Sequence, residues 1–260
     1  MRGLASLVMV KHLMDRLERQ RGGRLEPWQE FDMIGGTSTG GLIALMLGRL
    51  RMSVDECIDN YKTLSRRIFT PVHAKANIAG RAITKLKAEG KFESEPLEAA
   101  VKEICRAKGL SEAELLRDTS DDAPKVFVCA AQGINADTVV IRSYESGSGE
   151  YDDLYDICRI WEAARATSAA STFFDPIQIG YQKYVDGALR YNNPIEKADE
   201  ESRGKNKRLC SRRVLLFSFA NGCGQSFGQT RIDSLSAWGR GAHLVRMCWQ
   251  AILQSSARRW

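Results

Sequence analysis

The sequence predicts an α/β fold of three layers, a mainly parallel central sheet with helices on both sides, built as a single domain over residues 1–260. Three observations lead there. Strand-like and helical patterns alternate for most of the chain. Val214-Leu215-Leu216-Phe217-Ser218-Phe219 is almost continuously apolar, as a strand buried on both faces must be. A short apolar run ending at Ile34 passes through a glycine-crowded turn into a second apolar run, the pattern of a strand, a turn and a helix. A chain of 260 residues can bury a sizeable core.

The elements follow in order. Leu4, Leu7, Val8, Val10, Leu13, Met14 and Leu17 recur at near-helical spacing, predicting a helix over 4–19 that Gly22-Gly23 ends. A strand to Ile34 and a helix after Gly41 flank the turn. Ser53-Val54-Asp55-Glu56 is a capping box opening a helix with Ile58, Tyr61, Leu64 and Ile68. The Lys/Arg-rich stretch from Pro71 to Lys91 is expected to form a mobile flap. Ser94 and Pro96 open a helix to about Arg106, and Ser111 to Glu114 caps a shorter one. Lys125 to Ala131 and Thr138 to Ile141 read as paired strands around Gln132-Gly133-Ile134-Asn135. Tyr155 to Ala170 returns to helical spacing, and Gln178 to Val185 reads as a strand pair broken at Gly180. Asn193-Pro194 starts a further helix. A final helix presents Trp238, Val245, Cys248, Trp249 and Ile252.

Composition narrows the class. No run approaches the roughly 20 apolar residues of a membrane span. The apolar start, Met1 to Val10, runs into Lys11-His12-Leu13-Met14-Asp15-Arg16 without a small-residue cleavage site, so it reads as a helix and not a signal peptide. The seven cysteines are scattered, odd in number and never spaced C-x-x-C, which argues against zinc and against a disulfide framework. Free thiols suit a reducing interior. The expected location is cytoplasmic, or peripheral at intracellular membranes. The net charge is +6, densest at Arg203, Lys205, Lys207, Arg208, Arg212 and Arg213. That cluster reads as a solvated loop or as a contact for anionic lipid headgroups. Nucleic acid is not expected, because no aromatics for base stacking are interleaved with the charges.

The turn carries the chemistry. Gly36-Thr37-Ser38-Thr39-Gly40 fits G-x-S-x-G, the nucleophile elbow. Bulky neighbours would clash on so sharp a turn, and the following helix points its amides and positive dipole end at the serine. Three plainer readings stand beside it: Ser38 or Thr37 caps the helix, the glycines cradle a phosphate, or the short pattern is chance. The phosphate reading lacks the lysine and the spacing of the known motifs. A serine nucleophile needs a base. His12 lies in the first helix, His73 in the basic loop and His243 in the last helix, none in a turn after a strand. Chain order alone also permits a Ser38, Asp186, His243 triad. Asp186 ends a strand and is followed by Gly187, a location of the same kind as that of Ser38, or else simply an Asp-Gly turn.

Gly36-Thr37-Ser38-Thr39-Gly40-Gly41, then Ala164-Arg165-Ala166-Thr167-Ser168-Ala169-Ala170, then Asp186-Gly187-Ala188 resemble the patatin-like phospholipases in order and wording. Tyr184 to Pro194 looks like the fungal and related subgroup, and Ser171 stands where the family usually has proline. The resemblance implies a patatin-like α/β/α fold and hydrolysis of fatty-acyl esters of glycerolipids, with a phospholipid or other acyl-glycerolipid as substrate. It implies a serine–aspartate dyad, with Ser38 as nucleophile and Asp186 as general base, and no metal or other cofactor. Gly36, Gly40 and Gly187 are its motif glycines. An aspartate in water is a weak base at neutral pH, and partial burial of Asp186 under apolar neighbours would raise its pKa and improve the match. An acyl groove is expected along Leu42, Ile43 and Met46, residues that suit a core equally well. The family's oxyanion loop, a strand followed by D-G-G-G-x-R-G, is represented only by Arg2-Gly3. Arg2, Gly3 and the amide of Thr39 are left to position the oxyanion. The chain therefore reads as an N-terminally incomplete copy of an active enzyme, or as a weakened or inactive relative acting as a lipid-surface module.

Overall fold

The computed structural model describes residues 2–68, 94–132, 137–145, 152–169, 174–187, 197, 201, 213–218 and 243–248. The expected flap, the basic cluster other than Arg213, and the helix from Asn193 other than Lys197 and Glu201 lie outside them. Helix α1 (Arg2–Arg21) leads through the short α2 (Pro27–Glu30) to β1 (Met33–Thr37). The elbow helix α3 (Thr39–Ala44) runs on into a π-helical turn, Leu45–Arg49, and α4 (Val54–Ile68) follows. Then come α5 (Glu95–Ala107), β2 (Lys125–Gln132), β3 (Asp137–Arg142), α6 (Asp152–Ile157) and α7 (Ile160–Ser168). The chain closes with β4 (Ile177–Ile179), β5 (Gln182–Asp186), β6 (Arg213–Ser218) and β7 (His243–Cys248).

These strands form one sheet in the order β4-β5-β2-β1-β6-β7, with β3 also paired to β2. Its centre is parallel: β1 pairs with β2 and β6, and β6 with β7. The antiparallel strands β3 and β5 pair with opposite edges of β2, and β4 pairs with β5. The parallel strands alternate between two buried faces. Ile34, Val126, Val128, Leu215 and Phe217 join the large cluster formed with the helices, while Met33, Phe127, Cys129, Val214 and Leu216 form a second cluster on the opposite face. Arg142 and Tyr144 border the second cluster, both hydrogen-bonded to the Glu201 carboxylate.

Three expectations are corrected. Within the expected final helix, His243–Cys248 is a strand paired in parallel with Arg213–Ser218, while Trp238, Trp249 and Ile252 lie outside the described residues. The short apolar run of this strand fits either period, and the open edge of β6 decides for the extended form. The helix expected over 155–170 is two helices. Between them Leu116 N–H donates to Cys158 O, Ile160 N–H donates to Glu114 O, and Leu115 and Arg159 form a bridge. The same pairing leaves no helix after Ser111, because the Leu115, Leu116 and Arg117 carbonyls also accept from the buried Arg49 guanidinium. Backbone groups committed across the chain cannot close helical turns.

Cys57, Cys105, Cys129 and Cys158 are buried free thiols. Burial pushes Cys105 up to about 11 and Cys129 up to about 12. The thiolate is the reactive form. At pH 8 iodoacetamide is therefore expected to leave Cys105 and Cys129 unmodified in the native protein and to modify both in urea, as read by peptide mass spectrometry. Phe127→Ala is expected to lower stability by about 3–5 kcal/mol in urea unfolding, because it empties the second core cluster.

Candidate active site

Ser38 sits between the carboxyl end of β1 and the first turn of α3. Its backbone, at φ 57° and ψ −129°, is one that a side chain-bearing residue rarely adopts. A conformation of this kind costs about 1–3 kcal/mol and persists only where its surroundings over-determine it. The glycines supply the space. A Cβ at Gly36 would lie 2.5 Å from the Gly40 carbonyl, and one at Gly40 would lie 2.7 Å from the Phe217 carbonyl oxygen. Strand, turn and helix can approach so closely only without those carbons.

The Ser38 hydroxyl makes no capping bond to the helix amides. It donates to Asp186 Oδ2 at 2.7 Å, across 148 residues of sequence. Ser38 is half-buried, while Asp186 is 1 % exposed. The Asp186–Gly187 pair is not the turn of the β4–β5 hairpin, which runs through Gly180 at φ 59°.

Strand register explains why the two residues meet. β2 has two edges and three partners. β3 takes residues 127–132 and β1 takes residues 125–129, so these two overlap and must lie on opposite edges. β5 takes residues 130–132, also opposite β3, and therefore shares the edge of β1. Because β1 runs parallel to β2 and β5 antiparallel, their last residues meet head-on, Thr37 opposite Cys129 and Asp186 opposite Ala130. Ser38 emerges from that junction beside Asp186. The site stands at the carboxyl ends of parallel strands, where α/β sheets bind their ligands.

The exit of α7 fills the junction. Thr167, fully buried, accepts the Ser38 N–H at 2.9 Å and donates its hydroxyl to Cys129 O at 2.8 Å. Two residues on, Ala169 O accepts the Asp186 N–H at 2.9 Å. A Cβ at Gly187 would meet Cys129 O at 2.8 Å. Thr167 lies within the Ala164–Ala170 motif, whose pattern gives it no role of its own. Its one signal was a polar side chain on an otherwise apolar helix face.

The other expected residues divide. Gly3 and Thr39 come together: a Cβ on Gly3 would lie 2.5 Å from Tyr61 Oη and 2.6 Å from Thr39 Cγ2, which sets the first turn of α1, begun by Arg2, against the elbow helix. Burial raises the Tyr61 phenol above its ordinary value, opposed by hydrogen bonds from Ser65, Thr39 and the Gly3 backbone. Leu42, Ile43 and Met46 are core residues, and the void beside Leu42 and Met46 holds about 10 Å³, the room of one water. Among the described residues no larger groove runs along them. A cleft of about 590 Å³ instead opens along the antiparallel extension, lined in part by Gln132, Ile157, Tyr181 and Tyr184. His12 is exposed on α1, and His73 lies outside the described residues. His243 pairs with Arg213 at the amino ends of the parallel strands. Phe217 is four positions beyond Arg213, and Ser38 two positions beyond Gly36, the partner of Phe217, which makes roughly 20 Å of strand. The histidine triad is excluded by register. Among the described residues no group of three or more His, Cys, Asp or Glu could hold a metal ion.

Residues 1–199 match the patatin-like phospholipase family. The chain belongs to that family. Relatives include phospholipase A I of Arabidopsis thaliana, 26 % identical over 251 residues, which cover 78 % of this chain and 18 % of that protein. Calcium-independent phospholipase A2-gamma of Homo sapiens is 28 % identical over 207 residues, covering 78 % of this chain and 25 % of that protein. Patatin-like protein 2 of Arabidopsis thaliana is 24 % identical over 266 residues, covering 92 % and 61 % respectively. The chain thus spans about a fifth to a quarter of the first two relatives. Its α/β architecture is that of the patatin family. No described helix is long and apolar enough to cross a membrane.

The patatin-type elbow depends on its glycines. Gly36→Ala and Gly40→Ala are each expected to lower stability by about 1–3 kcal/mol in thermal or urea unfolding, since backbone atoms, unlike a flexible side chain, cannot swing clear of the new methyl.

Proposed function

We propose that this protein is a lipid acyl hydrolase of the phospholipase A or lysophospholipase type, cleaving fatty-acyl esters of glycerolipids through Ser38 and Asp186. The observation that carries this reading is the 2.7 Å hydrogen bond from the Ser38 hydroxyl to Asp186. Membership of the family and the phospholipase names of its relatives support the substrate class.

In the first step Ser38 Oγ attacks the ester carbonyl carbon while its proton passes to Asp186 Oδ2. Collapse of the tetrahedral intermediate breaks the carbon–oxygen bond to the glycerol. Asp186 returns the proton to that leaving oxygen, and the acyl group stays on Ser38. Water then attacks the acyl-enzyme with Asp186 again as base, releasing fatty acid and restoring the serine. The Thr39 amide, with the first turn of α1 at Arg2 and Gly3 beside it, positions the oxyanion, whose stabilisation is commonly the largest single contribution to such a reaction. Contact with an anionic membrane surface is supported by the net charge of +6.

An activity-based fluorophosphonate is expected to label the wild-type protein on Ser38, and Ser38→Ala to abolish labelling and fatty-acid release from phospholipid vesicles. Asp186→Asn is expected to lower kcat by about 10²–10⁴-fold. A folded wild-type protein that neither labels nor releases fatty acid would instead favour a lipid-surface module, and vesicle binding that survives Ser38→Ala would identify one.

A further inference from the structure

We infer that Thr167 is a positioning residue for the reaction: its hydroxyl holds the Ser38 backbone in its strained geometry and, with the adjoining Ala169 carbonyl, keeps it in register with Asp186. This rests on the proposed acyl-transfer reading. Neither the G-x-S-x-G pattern nor the serine–aspartate pairing assigns Thr167 such a task.

The argument begins with what the sheet cannot satisfy. The pairing of β1 with β2 ends at Thr37 opposite Cys129, and that with β6 ends at Gly36 opposite Phe217. Ser38 N–H falls beyond both ladders. On β2, edge pairing passes from β1 at Cys129 to the oppositely directed β5 at Ala130. A donor and an acceptor are thus left facing one gap, and neither can be abandoned in the interior cheaply. A hydroxyl is a small group that can accept from the first and donate to the second at once. Thr167 Oγ1 does so at 2.9 and 2.8 Å. Because its proton is committed to Cys129 O, its lone pair is fixed toward Ser38 N–H, which orients the serine backbone as well as satisfying it.

The second anchor comes from the same stretch of chain. Asp186 N–H donates to Ala169 O at 2.9 Å, so both members of the reacting pair hang by their amides from residues 167 and 169. Any shift of the α7 exit moves them together, and loss of one anchor moves one against the other. The elbow helix leaves room for this contact. A Cβ on Gly41 would lie 2.6 Å from Thr167 Oγ1 and 2.7 Å from its Cγ2. A misplacement of about 1 Å between reacting groups can cost about 100-fold in rate.

The test sets shape against hydrogen bonding. Thr167→Val keeps the branched shape and removes the hydroxyl, whereas Thr167→Ser keeps the hydroxyl and removes the methyl. Each is assayed on p-nitrophenyl butyrate and by the second-order rate of fluorophosphonate labelling, with folding checked by circular dichroism and Tm. The expectation is that Thr167→Val lowers kcat and the labelling rate by about 10–100-fold with KM within about threefold, while Thr167→Ser stays within about threefold of wild type in all of them. A folded Thr167→Val protein that keeps its rates within twofold overturns the inference. So does a folded Thr167→Ser protein that loses tenfold or more, because that variant retains the hydroxyl; this arm decides even if the valine variant fails to fold. Absence of labelling in the wild type itself overturns the acyl-transfer reading and this inference with it, whereas equal labelling of wild type and Thr167→Val overturns the inference alone.

Discussion

The organisation of this protein depends on the edge of β2 that changes partners between Cys129 and Ala130. A parallel strand arrives at that point from one direction and an antiparallel strand from the other, ending at Thr37 and Asp186. Two chain ends converging on one edge can place a hydroxyl and a carboxylate in contact without a long flexible connection. They also interrupt the ladder, and the interruption has to be filled from outside the sheet. Thr167 and Ala169 fill it, so the exit of α7 is tied to the same few ångströms of structure as the serine and the aspartate.

Close approach is the second constraint. The elbow helix lies against the sheet and against α7 with glycines at its contacts: Gly40 against Phe217, Gly41 against Thr167, and Gly48 at the end of the π-helical turn against Val126. Each missing Cβ lets a backbone come nearer than a side chain would allow. The buried Arg49 then anchors the far end of this segment to the carbonyls of Leu115, Leu116 and Arg117. With Ser38 at one end and Arg49 at the other, the segment is pinned at both limits. That is the rigid support a strained backbone requires.

Two charged groups beside the sheet follow the same logic. A buried charge is tolerated where its hydrogen-bonding capacity is met. Arg142 is met by the Glu201 carboxylate, and Arg213 by Asp32 and Glu30 at the amino ends of the parallel strands. Charged pairing thus seals the end of the sheet away from Ser38, while the carboxyl ends of the strands carry the serine–aspartate contact. The two ends of one sheet are given different chemistry.

The sequence by itself determined the fold class, most of the element order and the residues worth inspecting. Binary patterns and turn chemistry are local, so α1, the elbow, the helix opened by Ser94, the β2–β3 pair and the strand pair broken at Gly180 could all be read from neighbouring residues. It could not separate a strand from a helix at His243–Cys248, where six residues fit either period and the free edge of β6 chose. Nor could it see the break at Cys158-Arg159, made by backbone bonds to Glu114 and Leu116. Leu42, Ile43 and Met46 suited a groove or a core equally well, and only packing assigned them to the core. Ser38 and Asp186 were singled out by type and setting, but their contact was decided by tertiary structure alone. A hydrogen bond spanning 148 residues is a consequence of strand register, and register is set by which edges meet in space.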